Sequence, residues 1–292
     1  IVSPWFIRTR PAALSMAYNG ASIGGVVFSP LWVATIALMS FPVAAPAIGI
    51  VTAVTIWLLA DLMLSKTPRQ MGLMPDGDTI GVSAIPVASP SAKPLPGSRL
   101  WGDLGFLTLS AGMALGLFAQ IGLIAHLFSL LVPALGAQSA GLAMGAATAA
   151  AILGRTLVGW LMPAGADRRL VACASYGVQI AGSIAFLVAA GTNIPLLLVG
   201  VILFGAGIGN ATSLPPLIAQ VEFIKEDVPR VVALIVAIAQ GAYAFAPAAF
   251  GLMRELASQE TFESAGAAPY VFAGAALVQG LAMGALLLGR RR

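Results

Sequence analysis

Few side chains in this 292-residue sequence could do chemistry. His126 is its only histidine, and with a reference pKa of about 6.5 an imidazole can bind a carboxylate or relay a proton. Gln120 stands six residues earlier, about 120° around a helix from His126, so the two need not face one cavity. Asn210 and Ser213 share a helix face, flank Thr212, and offer donors and acceptors to a polar solute. Gln240 and Tyr243 are paired in the same way, and Asn19 is a further amide. Each also has a structural reading: a neutral imidazole bonded to a neighbouring helix, or amides and hydroxyls that bridge helices for under about 1 kcal/mol each. One histidine, the lone Cys173 and no carboxylate pair in the apolar segments leave nothing for hydrolysis or acyl transfer. They leave no disulfide and no Cys-based metal site either, so no cofactor or metal is expected.

The elements that must position these residues are apolar. Hydrophobic residues make up 59% and charged residues 9%, against roughly 45–50% and about 25% in a soluble domain, and no soluble fold of this length hides so much apolar surface. A helical crossing of a bilayer needs about 20 apolar residues. Eight such segments fall near 13–38, 43–63, 103–131, 138–161, 170–190, 195–219, 230–253 and 269–288. Their length and their Ala, Leu, Gly and Met content predict helices. The stretch Ser65–Trp101, rich in Pro, Ser and Gly, reads as a solvated connector. It divides the chain into 1–64, the linker 65–101, and 102–292.

Charge sets the expected orientation. Arg8, Arg10, Lys66, Arg69, Lys93, Arg99, Arg155, Arg168, Arg169, Lys225, Arg230, Arg290, Arg291 and Arg292 all fall on one side, which leaves only Arg254 of the 15 Lys and Arg residues on the other. The positive-inside bias makes both termini and the linker cytoplasmic in an integral, multi-pass protein of the inner or plasma membrane. Trp5, Trp101 and Trp160 stand at segment ends on that side, where interfacial anchors belong. The net charge of +4 is scattered and forms no basic face for nucleic acid. Glu222, Glu226 and Asp227 lie beside Lys225 and Arg230 in a loop where solvated pairing is expected. Ile1 is not an initiating residue, and the expectation is a piece of a longer protein.

Five GxxxG pairs, Gly20/Gly24, Gly112/Gly116, Gly141/Gly145, Gly205/Gly209 and Gly280/Gly284, predict close helix contacts in a compact bundle. The glycines around Gly207 do not fit a nucleotide-binding fingerprint, and no strand precedes them. Pro30, Pro215, Pro216 and Pro247 fall inside helical segments, where each removes a backbone hydrogen bond and permits a kink. The seventh segment also echoes the first: Pro11-Ala-Ala-Leu-Ser leads to Asn19-Gly20-Ala21 and Pro30, and Arg230-Val-Val-Ala-Leu leads to Gln240-Gly241-Ala242 and Pro247. Such an echo six crossings later suits a parallel repeat.

On these residues the sequence resembles the major facilitator superfamily over nearly its whole length. Trp5 to Leu14 before Gly20-Ala-Ser-Ile-Gly24-Gly25 looks like the approach to that family's fifth helix. Lys66-Thr67-Pro68 through Gly72-Leu73-Met74-Pro75-Asp76-Gly77 is similar to the start of the central loop in its monocarboxylate-porter-like branch, and Gly154-Arg155 to Gly159, with Asp167-Arg168-Arg169, looks like the second-half loop motif. Pro163 stands where that motif carries its acidic residue, and the first helix lacks the Gly-Pro pair of the drug-antiporter signature, so uptake or exchange of a small organic solute is favoured over drug antiport.

The resemblance implies an all-α polytopic fold, helices five to twelve of twelve, with four crossings absent and the path incomplete. The implied function is secondary active transport by alternating access, of an organic anion or monocarboxylate. The alternative is a non-transporting membrane binding or scaffold protein, or an inactive fragment. The helices of His126, Gln120, Asn210 and Ser213 are cavity-lining ones by this resemblance, and Arg155 with Asp167, Arg168 and Arg169 forms a cytoplasmic latch; the other reading of those charges is topology alone. The expected partners are a small-molecule substrate, with a coupled proton where His126 relays one, and the lipid bilayer, with no nucleic acid; the protein is expected to be a monomer.

Overall fold

A computed structural model describes residues 4–77, 97, 99–163, 165–259 and 268–290. Lys93, Arg291, Arg292 and most of the linker lie outside the described residues, as do the side chains of Pro30 and Arg69. The described residues are helices and connections without a strand, in two compact units, Ile1–Pro86 and Val87–Arg292. Six helices among them are long and apolar enough to cross a membrane: Phe41–Leu62, Leu104–Leu161, Arg168–Ala189, Ile194–Glu222, Val228–Glu255 and Pro269–Leu288. The chain is an all-helical protein of membrane composition.

In the first unit, α1 (Arg10–Met39) and α2 (Phe41–Leu59) meet at Ser40, where φ is +66°, and a π-helical turn, Ala60–Leu64, extends α2. Helix α1 covers the first expected segment but is not among the six spans. Both helices place a proline in the first turn, Pro11 and Pro42, where a missing N–H costs nothing. Thr9, the residue before α1, makes no side-chain cap. Asp76, from beyond α2, ties down the segment that leads into α1: its carboxylate accepts the N–H groups of Ile7 (2.9 Å), Arg8 (2.8 Å) and Thr9 (3.3 Å) and the Thr9 hydroxyl (2.7 Å), while its own N–H donates to the Trp5 carbonyl at 2.9 Å.

Partial burial acts to raise the Asp76 pKa, but the hydrogen bonds from Thr9, Arg8 and Ile7 outweigh it and hold the carboxyl down to about 2, below the reference 3.8. A carboxyl lowered by folding contributes stability in full above its unfolded value and loses it as pH falls towards its folded one. Asp76→Asn is therefore expected to lower the thermal melting point in detergent at about pH 6, and the gap from wild type should close near about pH 2. A gap that stays constant with pH would rule this clamp out.

In the second unit, α3 (Leu104–Leu161) runs for 58 residues with one residue of non-helical geometry, Gly136 (φ +74°, ψ 160°), a conformation that favours glycine. A straight helix of that length would reach about 87 Å, far beyond a bilayer, and the contacts show that it folds back. Ala147 and Ala151, in the arm 137–161, lie against Gly205 and Gly209, so that arm runs parallel to the following pair α5 (Ile194–Ile208) and α6 (Asn210–Glu222). Helix α6 ends at Glu222, which bonds Arg169 at the end where the arm 104–135 begins, at Gly105. The arms are thus antiparallel and account for two of the expected segments.

The remaining elements are α4 (Arg168–Ala189), α7 (Val228–Tyr243), α8 (Ala246–Gln259) and α9 (Pro269–Leu288). Asp103, Asp167 and Asn193 accept first-turn N–H groups of α3, α4 and α5, each cap worth about 1 kcal/mol. Phe186, Phe204, Phe250 and Phe272 lie in the core with Leu123, Leu127 and Leu131, whereas Leu142, Leu153, Leu161, Leu277 and Trp160 are exposed. An apolar exterior of this kind suits lipid.

Among the described residues, two of the five GxxxG pairs pack closely. Gly112 meets Leu286, Gly116 meets Tyr176, and Gly205 and Gly209 meet the carbonyls of Ala147 and Ala151. The expectation of close contact at the other three is corrected: among the described residues nothing lies within 4 Å of a Cβ added at Gly20, Gly24, Gly141, Gly145, Gly280 or Gly284. A small residue lets a partner approach, but a face becomes an interface only where the fold turns it inward.

Candidate functional site

At one end of the second unit Arg169, 2% exposed, joins four helices. Its Nε and Nη2 donate to the two Glu222 oxygens at 2.6 and 2.8 Å, its Nη1 to the Thr108 hydroxyl (3.1 Å) and the Leu286 carbonyl (3.0 Å), and its Nη2 also to the Gly105 carbonyl (3.0 Å). A planar fork of five donors suits this bidentate and multiply bonded role, which Lys cannot fill. Nearby, Asp167 caps α4 and pairs with Arg290 beyond α9. Burial pulls the Asp167 carboxyl up, but the Arg290 hydrogen bond and the N–H groups of Leu170 and Arg169 bring it below the ordinary range. Arg168 donates to the Leu217 carbonyl. The expectation that Glu222 is a solvated loop residue is overturned: it is the last residue of α6 and the partner of a buried guanidinium.

Half-way along, the crossing Ile194–Glu222 breaks at Gly209. Pro215 and Pro216 have no N–H for the carbonyls four residues earlier and their rings crowd them, so distortion falls on the N-terminal side. Two buried side chains take up the carbonyls at the break: Arg155 Nε donates to Gly209 at 2.6 Å, and Gln179 Nε2 to Gly207 at 3.0 Å. Gln279 Nε2 donates in turn to Gln179 Oε1, and the Ser183 hydroxyl to Gln279 Oε1, both at 3.3 Å. Asn210 and Ser213 are buried beside the break; the Ser213 hydroxyl donates to the Gly209 carbonyl at 3.4 Å, while Asn210 Oδ1 accepts no hydrogen bond. Gln120 is buried on α3, and its Oε1 has no partner.

Towards the other end the crossing Val228–Glu255 is interrupted at Ala244 and Phe245, just before Pro247. His126 Nε2 donates to the Pro247 carbonyl at 2.9 Å, which places a proton on that nitrogen. Three residues on, the Ser129 hydroxyl donates to the His126 carbonyl (2.8 Å) and accepts from Arg254 Nη1 (2.7 Å). This end carries Arg254, and the opposite end carries Arg168, Arg169, Arg230 and Arg290.

The sequence-predicted residues are spread over the fold: Asp167, Arg168 and Arg169 lie together at one end, Arg155, expected in a latch with them, is instead bonded at the first break beside Asn210 and Ser213, and His126 stands at the second. Gln120 and His126 do not share a face: one is buried in the bundle, the other lies against α8. Gln240 is exposed and Tyr243 half-buried on α7, and Asn19 is buried in the first unit. Gln179, Ser183, Gln279 and Tyr176 carry no signal in the sequence, because an isolated polar residue in an apolar run gives no sign of its partner a hundred residues away. Among the described residues no three His, Cys, Asp or Glu side chains converge. The arrangement exchanges hydrogen bonds between buried side chains and the backbone carbonyls at the breaks. In comparisons with known proteins, no family model and no curated sequence matches this chain.

Proposed function

We propose that the chain belongs to a secondary active transporter of the major facilitator type, moving a small organic solute, a carboxylate first among them, by alternating access. The observation that carries the reading is the pair of crossings broken near mid-length, each with a carbonyl at or beside the break held by an ionisable side chain of α3: Gly209 by Arg155 and Pro247 by His126. Broken helices near the midplane mark solute and ion sites in transporters, and ionisable groups inside a membrane are functional by default because their burial is costly. In this reading the end that carries Arg169 faces the cytoplasm, and the pairs Arg169–Glu222 and Asp167–Arg290 are its latch. His126 meets the solute or its coupled proton, and Gln240 and Tyr243 lie on the open side of α7.

Uptake of labelled mono- and dicarboxylates, and of neutral solutes of similar size, by cells with the gene deleted or over-expressed tests this. The expected result is anion uptake that follows expression and depends on external pH. Identical uptake in both strains for every solute would overturn the proposal.

A further inference from the structure

Asn210 opens α6 immediately after the Gly209 break; the residue is 3% exposed and its Oδ1 accepts no hydrogen bond. A buried acceptor without a donor costs about 1–3 kcal/mol, so the fold should hold a donor there. The protein supplies a cavity but no group. Asn210 lines it with Met113, Ser175, Tyr176, Ala211 and Pro215, and the space leaves about 10 Å³ for the centre of a water molecule. That suits one water and is far too small for an organic solute.

The second polar group at the cavity comes from the chain itself. Pro215 has no N–H, so the Ala211 carbonyl loses its helical donor, and both residues line the same space. The hydroxyls of Tyr176 and Ser175 already donate elsewhere, to Gly112 (3.2 Å) and Val171 (3.1 Å), and offer only lone pairs. Asn210 Oδ1 thus has no donor and the Ala211 carbonyl has lost its helical one, and water brings two.

We propose that this cavity binds a single water molecule, which donates to Asn210 Oδ1 and to the Ala211 carbonyl and replaces the hydrogen bond that Pro215 removes. Ordered waters re-satisfy proline-freed carbonyls in membrane helices. Here the water makes the α5–α6 break a hydrated joint, since α5 and α6 can change angle while a movable donor follows the carbonyl. The site is independent of which solute the protein carries.

X-ray radiolytic footprinting of the detergent-purified protein tests it, because hydroxyl radicals form in place from bound water. Tyr176 is expected to be oxidised well above Phe186 and Phe204, aromatic side chains of similar burial that do not line the cavity, with Met113 oxidised alongside it. Label from ¹⁸O-water should enter Tyr176 more slowly than the exposed Trp101. Oxidation of Tyr176 no faster than that of Phe204 would overturn the proposal in the wild type alone. Asn210→Leu, which fills the cavity, should lose the Tyr176 labelling and leave Trp101 unchanged, whereas Asn210→Ser should keep it. Undiminished Tyr176 labelling in a folded Asn210→Leu protein would equally overturn it.

Discussion

Arg169→Met is expected to destabilise the second unit by about 3–5 kcal/mol, the range for removing one partner of a buried ion pair. The loss is large because five acceptor atoms on four other residues depend on this one guanidinium. Glu222 would be left as a largely buried carboxylate with no cation, and the carbonyls of Gly105 and Leu286 without that donor. The sharper expectation concerns the double variant. Arg169→Met with Glu222→Met should recover much of the stability, since replacing both partners by apolar groups removes the unpaired charge. Denaturation of the two single variants and the double variant in mixed detergent micelles measures this. If the double variant were as unstable as the sum of the two, the pair would not act as a unit.

Gly154→Ala should cost about 1–3 kcal/mol or more, the range for overpacking. An added Cβ would sit 2.2 Å from the Ala206 carbonyl oxygen and 2.9 Å from its carbon. Backbone atoms cannot rotate away, so α3 and α5 would have to separate. Gly145→Ala, nine residues earlier on the same arm, meets nothing within 4 Å and should instead gain about 0.5–1 kcal/mol of helix propensity. Melting points that ranked these two variants the other way round would mean that the arm packs by a different face.

These contrasts show how much could be read in advance. Among the described residues each of the eight apolar segments is helical, and six helices are long and apolar enough to cross a membrane, because a run of about 20 apolar residues has few other folds open to it. The sequence also carried the charged residues of the Arg169–Glu222 and Asp167–Arg290 contacts, but not their pairing. Gly136 was hidden, since the expected loop 132–138 is helix on either side of one residue. The prolines announced distortion but not its place: the breaks lie upstream, at Gly209 and at Ala244 and Phe245, where the missing N–H and the ring act on earlier turns. Pairings such as Gln179 with Gln279 depend on which faces meet, and a single sequence does not encode that in its spacing.

The turn at Gly136 has a mechanical consequence. With one residue between two antiparallel arms, the hairpin has no slack. A push along the axis of the arm that bears His126 must reappear in the arm that bears Arg155 as a stroke of opposite sense relative to its own chain direction. The two broken crossings, each held by one of those side chains, are thereby tied to the two arms of one hairpin.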